Sequence, residues 1–455
     1  MATALTSPLA SPAPVPTLDQ SLVQGLVFTG YPELPFASYL VLELLSRPRA
    51  SAWLKALLPS ITDGRKQARA QAVNVSFSHA GLAALGLGGE SLNSFPREFA
   101  EGMAGTVARS RILGDVGESD PETWRWGARA GDPRTPNDVH ALLLLYATSA
   151  EELARLQEAQ IAALAGAARV IYARDSVTLP ANREHFGFAD GISQPRIAGS
   201  ETTPRPGLLF LQPGEFILGH PNEYDQLPLS PQVPDGPRAR AHLPSGNDDL
   251  HRDLGANGSY LVVRQLHQDV AGFWNTMLQQ SGDEDGQPSE GKALRLAAKC
   301  VGRWPGGAPL SLAAHDDPAQ AGRNDFSYED DPIGMKCPIG AHVRRANPRD
   351  SLEPGPAEST RLNRRHMILR RGRAYGPPLP PFASEPGAQE RGLFFIAVNA
   401  NIGRQFEFMQ QTWLNNPKFD GLADETDPIS GSRAPAGGGS FSIPEAPVRR
   451  RLHGL

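Results

Sequence analysis

The order of apolar segments in the first part of the chain limits its fold more than any other feature. Gly25–Gly30 and Tyr39–Leu44 read as strands, and Ala50–Leu58 carries Trp53, Leu54, Leu57 and Leu58 on one helical face. Val73–Phe77 alternates apolar and polar residues as a half-buried strand does, and Leu142–Ala147 is an unbroken apolar run. A helix is expected over Ala150–Ala165, opened by Ser149 as N-cap with Glu152 three residues on, and Arg169–Tyr172 follows as a short strand. The resulting order, β-α-β-β-α-β, is that of a ferredoxin-like unit and predicts an α+β fold.

A second set of the same kind follows. Tyr260–Arg264, His366–Arg370 and Leu393–Asn399 are strand candidates, and Ser440–Ile443 is expected as a last edge strand. Val270–Gln280, Gly291–Val301 and Gly403–Leu414 read as helices, the last with Phe406, Met409 and Trp413 at helical spacing. The 455 residues leave room for two such halves. The expected division is a disordered tail over 1–20, a first half over 21–200 and a second over 201–455. A Pro/Gly-rich stretch from about Pro204 to Asn257 separates the sets, and the second carries long insertions such as Gly307–Pro338.

Composition removes several function classes. With 44 basic against 49 acidic side chains, the net charge of −5 argues against a dedicated nucleic-acid binder. Two cysteines, Cys300 and Cys337, are too few for a disulfide framework or a thiol-bound zinc, which favours a reducing compartment. No apolar run approaches the roughly 20 residues that span a bilayer. The N-terminus lacks the basic and apolar regions of a secretion signal, so a cytoplasmic protein with no membrane partner is expected. Gly286–Ala293 nearly matches a P-loop, but Ala293 stands where Ser or Thr must hold magnesium, and Asp283, Glu284 and Asp285 precede it. Leu85–Gly89 lacks a full dinucleotide fingerprint, and neither HExxH nor Gly-x-Ser-x-Gly occurs.

Three segments carry chemistry. In Phe186–Pro195, Gly187 and Gly191 bracket Asp190 in an apolar turn; the glycines allow close backbone approach, and apolar surroundings would push the carboxyl up into the range of a proton shuttle. Read alone, such a turn is more often a structural Asx-turn. In Lys336–Pro348, His342 follows small and apolar residues and precedes Arg344 and Arg345; a neutral imidazole there can ligate iron, though a lone histidine is more often structural. In Met367–Gly376 an apolar strand ends in a basic turn, where Arg370 continues the face of Ile368 toward a pocket or lies in solvent.

Together these segments resemble the dye-decolorizing peroxidase family, haem peroxidases built from two ferredoxin-like halves that form an α/β barrel-like haem-binding structure. The resemblance runs from about Gln24 to Pro444 and is carried by Gly187-Phe188-Ala189-Asp190-Gly191, Ala341-His342-Val343-Arg344 and Ile368-Leu369-Arg370-Arg371-Gly372. Arg404–Phe408, Asn416–Phe419 and Asp427-Pro428-Ile429 also fit, and the inserted loops resemble the larger, C/D-type members.

The resemblance implies haem b in the C-terminal half, with hydrogen peroxide as oxidant and dyes or phenols as one-electron donors through a ferryl intermediate. It places His342, rather than Cys337, at the iron as proximal ligand, with Asp190 and Arg370 distal and catalytic. Leu393 and Phe395 would form an apolar distal wall, or simply core. Arg344 would meet a haem propionate, and Asp427, with Glu407 as rival, would accept the His342 ring N–H. Gly372 departs from the Asn of compact members and removes a distal amide. Tyr375 and Trp413 are candidate relays for donors too bulky to reach the haem, or ordinary packing residues. Two other classes remain open: a haem-handling protein for storage, delivery or iron release, and another haem enzyme on this scaffold, such as a chlorite-degrading one. The carboxylate of Asp190 argues against the latter.

Overall fold

The computed structural model describes residues 18–128, 138–200, 207–282, 287–318, 322–383, 387–432, 439–445 and 450–453. The first set of elements is β1 (Phe36–Leu44), α1 (Arg47–Leu57), β2 (Gln71–Phe77), β3 (Ala141–Ala147), α2 (Ala150–Ala163) and β4 (Ala168–Val177). Ser149 caps α2 by accepting the N–H of Glu152, as its spacing predicts. The strands pair antiparallel in the order β4-β1-β3-β2, the ferredoxin-like arrangement. β3 is buried along its whole length, which is why it reads as an unbroken apolar run. Leu143 and Leu145 face Trp53 and Leu57 of α1 and Leu153 and Leu156 of α2, whereas Leu142, Leu144 and Tyr146 enter a second core on the opposite face.

The second set comprises β5 (Tyr260–His267), α3 (Val270–Gln279), α4 (Glu290–Val301), β6 (Leu369–Arg370), β7 (Arg373–Tyr375) and β8 (Gly392–Asn399). β8 pairs with β5 along one edge and with β6 and β7 in succession along the other, all antiparallel. Ala374 of β7 pairs with Val177 of β4, so both sets join in one eight-stranded sheet. The sheet curls as a half-barrel: Phe394 and Ile396 of β8 enter the same core as Tyr39 and Tyr146, with the Tyr39 and Phe394 rings stacked at 4.4 Å. Among the described residues, no helix is long and apolar enough to cross a membrane.

Four elements differ from expectation. Gly25–Val27 is a single 3-10 turn rather than a strand, and only glycine fits at its start, where a Cβ would lie 2.6 Å from the Asp63 carbonyl oxygen. The strand expected over His366–Arg370 shrinks to β6 and resumes as β7, for Gly372 presses on β8 where a Cβ would stand 2.4 Å from the Phe394 carbonyl oxygen. Gly403–Glu407 and Met409–Leu414 are wound as π-helix rather than α-helix. Ser440–Ile443 pairs with Arg450–His453 in a separate ribbon, not with the sheet edge. The acidic run at 283–285, Gly286 and nearly all of the N-terminal tail lie outside the described residues; Ser289 caps α4, so the near P-loop simply opens a helix.

Candidate active site

His342 begins a short helix, His342–Ala346. Its Nδ1 lies 3.0 and 3.1 Å from the two carboxylate oxygens of Asp427. The N–H groups of Ile429 and Ser430 donate to Asp427 Oδ1, so the carboxylate is oriented before it meets the ring. Burial raises the Asp427 carboxyl, but the facing imidazole and these donors outweigh it and hold it below its ordinary value. Burial likewise disfavours a charged His342, and the Asp427 charge more than offsets that, raising the ring's affinity for a proton. With Nδ1 committed, Nε2 is the ring nitrogen available for ligation. The rival carboxylate, Glu407, is elsewhere: it pairs with the buried guanidinium of Arg109.

Asp190 hangs in the loop after β4. Gly187 and Gly191 take φ of 95° and 75°, so glycine is required there by the backbone itself rather than by a bulky neighbour. The Asp190 N–H donates to the Asn182 carbonyl and the Ala189 N–H to the Pro305 carbonyl. Arg370 Nη1 donates to Asp190 Oδ1 at 2.9 Å, joining residues 180 apart in the chain. Gln194 Oε1, from the same loop, accepts the Arg370 backbone N–H at 3.1 Å. Contrary to the sequence expectation, the Asp190 carboxyl is not raised. Burial acts upward, but the Arg370 charge, the Gly191 N–H and the Arg370 hydrogen bond, with His342 beyond, bring it below its ordinary value.

His342 and Asp190 lie deep in the molecule, near enough for their charges to act on each other. Yet 31% of the His342 side chain, 37% of Asp190 and 32% of Arg370 remain accessible. Open space therefore lies beside each of them, since close packing would leave none of their surface free. Arg370 is paired with Ala397 on β8, so the two side chains share a face. Phe395 and Leu393 follow on that same face by alternation, both half-buried, while Phe394 between them is buried in the opposite core. Outside, a cleft of about 500 Å³ reaches Asp190 between Ala181, Arg183, Ala189, Ile192, Gly306 and Asp317.

Other expected residues lie apart from this space. Arg344 is fully buried, donates to the carbonyls of Asp331 and Cys337 at 2.9 Å each, and lies over the Tyr328 ring. Its Nε and Nη2 are buried without a hydrogen-bond partner among the described residues. Cys337 is buried, its thiol pushed up to about 11 by desolvation. Tyr375 and Trp413 are 2% and 3% exposed, so neither can touch a bulky donor directly.

Three arginines beside the site residues, two of them in the turn read as basic, hold backbone carbonyls. Arg345 bonds the carbonyls of Trp413, Asn416 and Glu425, tying the His342 helix to the segment that bears Asp427. Arg371 bonds the carbonyls of Leu26 and Val27, and Arg373 those of Leu34, Gly30 and Tyr31. They staple the turn around Arg370 to the start of the chain. No spacing signal marks them; an arginine among apolar neighbours is the only hint.

The chain is 32% identical over 404 residues to a dye-decolorizing peroxidase of Mycena epipterygia, covering 82% of this chain and 66% of that protein. It is 32% identical over 408 residues to peroxidase 2 of Mycetinis scorodonius, covering 83% of this chain and 70% of that one. The matched region thus spans about two thirds of the length of these relatives. A dye-decolorizing peroxidase solved with 2,6-dimethoxyphenol superposes with a TM-score of 0.72 at 27% identity, over 92% of this chain and 90% of that one. No family model matches the chain. These relatives, on a fold of the same architecture, define its class as the peroxidase-like α+β proteins. Within that class the chain belongs to the dye-decolorizing peroxidase family, of which a member from Exidia glandulosa is 33% identical over 384 residues, covering 80% of this chain and 67% of that protein.

Proposed function

We propose that the protein is a haem peroxidase that reduces hydrogen peroxide at the expense of organic one-electron donors such as phenols and dyes. The observation that carries this reading is two pairs near enough for their charges to act on each other: His342 on Asp427, and Asp190 on Arg370. The residues fit haem b. One imidazole offers Nε2 with its other nitrogen fixed, and an apolar wall of Leu393 and Phe395 stands on the strand beside Arg370. Among the described residues no group of three or more His, Cys, Asp or Glu could hold a metal ion, which suits an iron that arrives in a porphyrin and needs one side-chain ligand.

Bound haem supplies an iron that takes the peroxide and accepts its oxidising equivalents. The chain's own groups do the rest. His342 would hold the group by its ring, and Asp427, accepting Nδ1–H, fixes the tautomer and makes the ring a stronger donor. Asp190 Oδ takes the proton from the peroxide oxygen that is retained and returns it to the oxygen that departs as water. Arg370 keeps a positive charge where negative charge develops as the O–O bond breaks. Leu393 and Phe395 exclude water and leave no polar group to compete for the proton. The cleft beside Asp190 gives a small oxidant its approach. Tyr375 and Trp413, both buried, would act only as internal steps of an electron path to a bulky donor. The long insertions between β4 and β5 and between α4 and β6 support a place among the larger, C/D-type members. Storage or delivery of haem needs neither Asp190 nor Arg370, and their ion pair favours turnover.

Asp190 works only when ionised, and its carboxyl is held below the ordinary 3.8. A depressed value keeps the base active to more acid pH, so the acid limb of kcat/KM for peroxide is expected below that value. In Asp190→Asn the rate falls by roughly 10²–10⁴ and that limb disappears. A wild-type limb above the ordinary carboxylate range, or an unimpaired Asn variant, contradicts the assignment.

A further inference from the structure

The Asp190 loop follows β4, yet elements beyond residue 260 hold it. Phe186 lies against Phe273 with ring centroids 4.5 Å apart, and Phe188 stacks over Trp274 at 6.4 Å, both partners on α3. Between these anchors the chain winds around one side chain, Glu184. Its Oε2 accepts the N–H of Phe186 at 2.8 Å, and its Oε1 accepts the N–H of Phe188 at 2.9 Å. Gln268, at the junction of β5 and α3, donates its side-chain amide to Oε2 at 2.7 Å. The Glu184 backbone closes the same turn, donating to the Phe188 carbonyl and accepting from Gly187.

We propose that Glu184 is the positioning residue for Asp190: its carboxylate templates the turn Phe186–Asp190 and locks that turn to Gln268 on the other side of the sheet junction. The inference deepens the reading of Asp190 as the proton carrier and rests on it. An acid is an expensive choice for this place. Burial pushes the Glu184 carboxyl up to about 7, against three neutral donors and with the Asp190 charge adding to the rise. A group that only filled space would be apolar. Four acceptor lone pairs on two oxygens let one side chain hold two successive N–H groups of a loop and still bond Gln268. Two residues past the second of these N–H groups stands Asp190. Its own side chain is fixed by Arg370 and the Gly191 N–H alone, so the path of the loop decides where it lies.

The test compares Glu184→Leu, Glu184→Gln and Gln268→Leu in the haem-loaded protein, with Asp190→Asn as reference. Glu184→Leu should slow the peroxide step on the order of 10²-fold, as expected for a misplaced catalytic group. Its rate of reaction with the reducing donor should stay as in wild type. Glu184→Gln, which keeps one oxygen acceptor, should recover most of the loss, to within about fivefold, one hydrogen bond's worth. Hydrogen exchange should quicken at the Phe186 and Phe188 amides in the Leu variant and slow again in the Gln variant. Gln268→Leu, which leaves the loop's own bonds intact, should cost a similar fivefold. It decides the matter should Glu184→Leu not fold. Peroxide rates at wild-type level in Glu184→Leu or in Gln268→Leu, with Asp190→Asn slow, overturn the role of Glu184 alone. A fast Asp190→Asn removes the underlying reading and this inference with it.

Discussion

Arg370→Leu is expected to slow the peroxide step by roughly 10²–10³, the usual effect of removing one preorganised donor from a site where charge develops. Two losses combine. The guanidinium no longer faces the breaking O–O bond, and Asp190 loses the partner that donates to it at 2.9 Å. Without that charge, burial is the leading influence left on Asp190 and drives its carboxyl upward. The acid limb of the peroxide rate should therefore move to higher pH in this variant, a shift opposite in sign to the depression seen in the intact pair. Arg370→Lys should keep the charge but not the fork, and fall between. Rapid mixing with peroxide checks both rate and limb. An Arg370→Leu variant with wild-type rate and unmoved limb would remove Arg370 from the chemistry.

His342→Ala has the second large effect, on haem occupancy. The ring is the one nitrogen ligand the site offers, and no cysteine replaces it, since Cys337 is buried with its thiol bonded toward the Gly302 carbonyl. The substitution also leaves the Asp427 carboxylate, whose side chain is 0% accessible, without the imidazole that faces it. Removing a hydrogen-bond partner of a buried carboxylate typically costs about 1–3 kcal/mol, and here the amides of Ile429 and Ser430 soften the loss. The variant should carry little haem and melt at lower temperature. Added imidazole, which fits the space the side chain vacates and meets Asp427 there, should restore part of the haem absorbance. Full haem content with an unchanged spectrum would place the ligand elsewhere.

What could be read in advance follows from the range of each interaction. β3 and the Ser149 cap are local patterns, and both appear where the spacing puts them. The Asp190–Arg370 and His342–Asp427 pairs join residues 180 and 85 apart, beyond any periodicity; family resemblance alone suggested them. The upward shift expected of Asp190 failed for the same reason, because the cation that reverses it comes from a distant strand. Arg345, Arg371 and Arg373 hold backbone carbonyls, although a charged side chain suggests solvent or a ligand. Backbone carbonyls at turns can satisfy a guanidinium equally well, and nothing in a linear pattern shows which turns will converge. The break at Gly372 is likewise a tertiary matter, set by the Phe394 carbonyl across the pair.

The most direct test of the peroxidase reading is a single addition of hydrogen peroxide to the purified, haem-loaded protein, followed in the Soret region. The band should change within the mixing experiment and return to its starting form when a phenol is added, with the phenol oxidised in proportion. A Soret band that peroxide leaves unchanged, or that simply bleaches with no donor oxidised, would contradict a peroxidase and leave haem handling as the function.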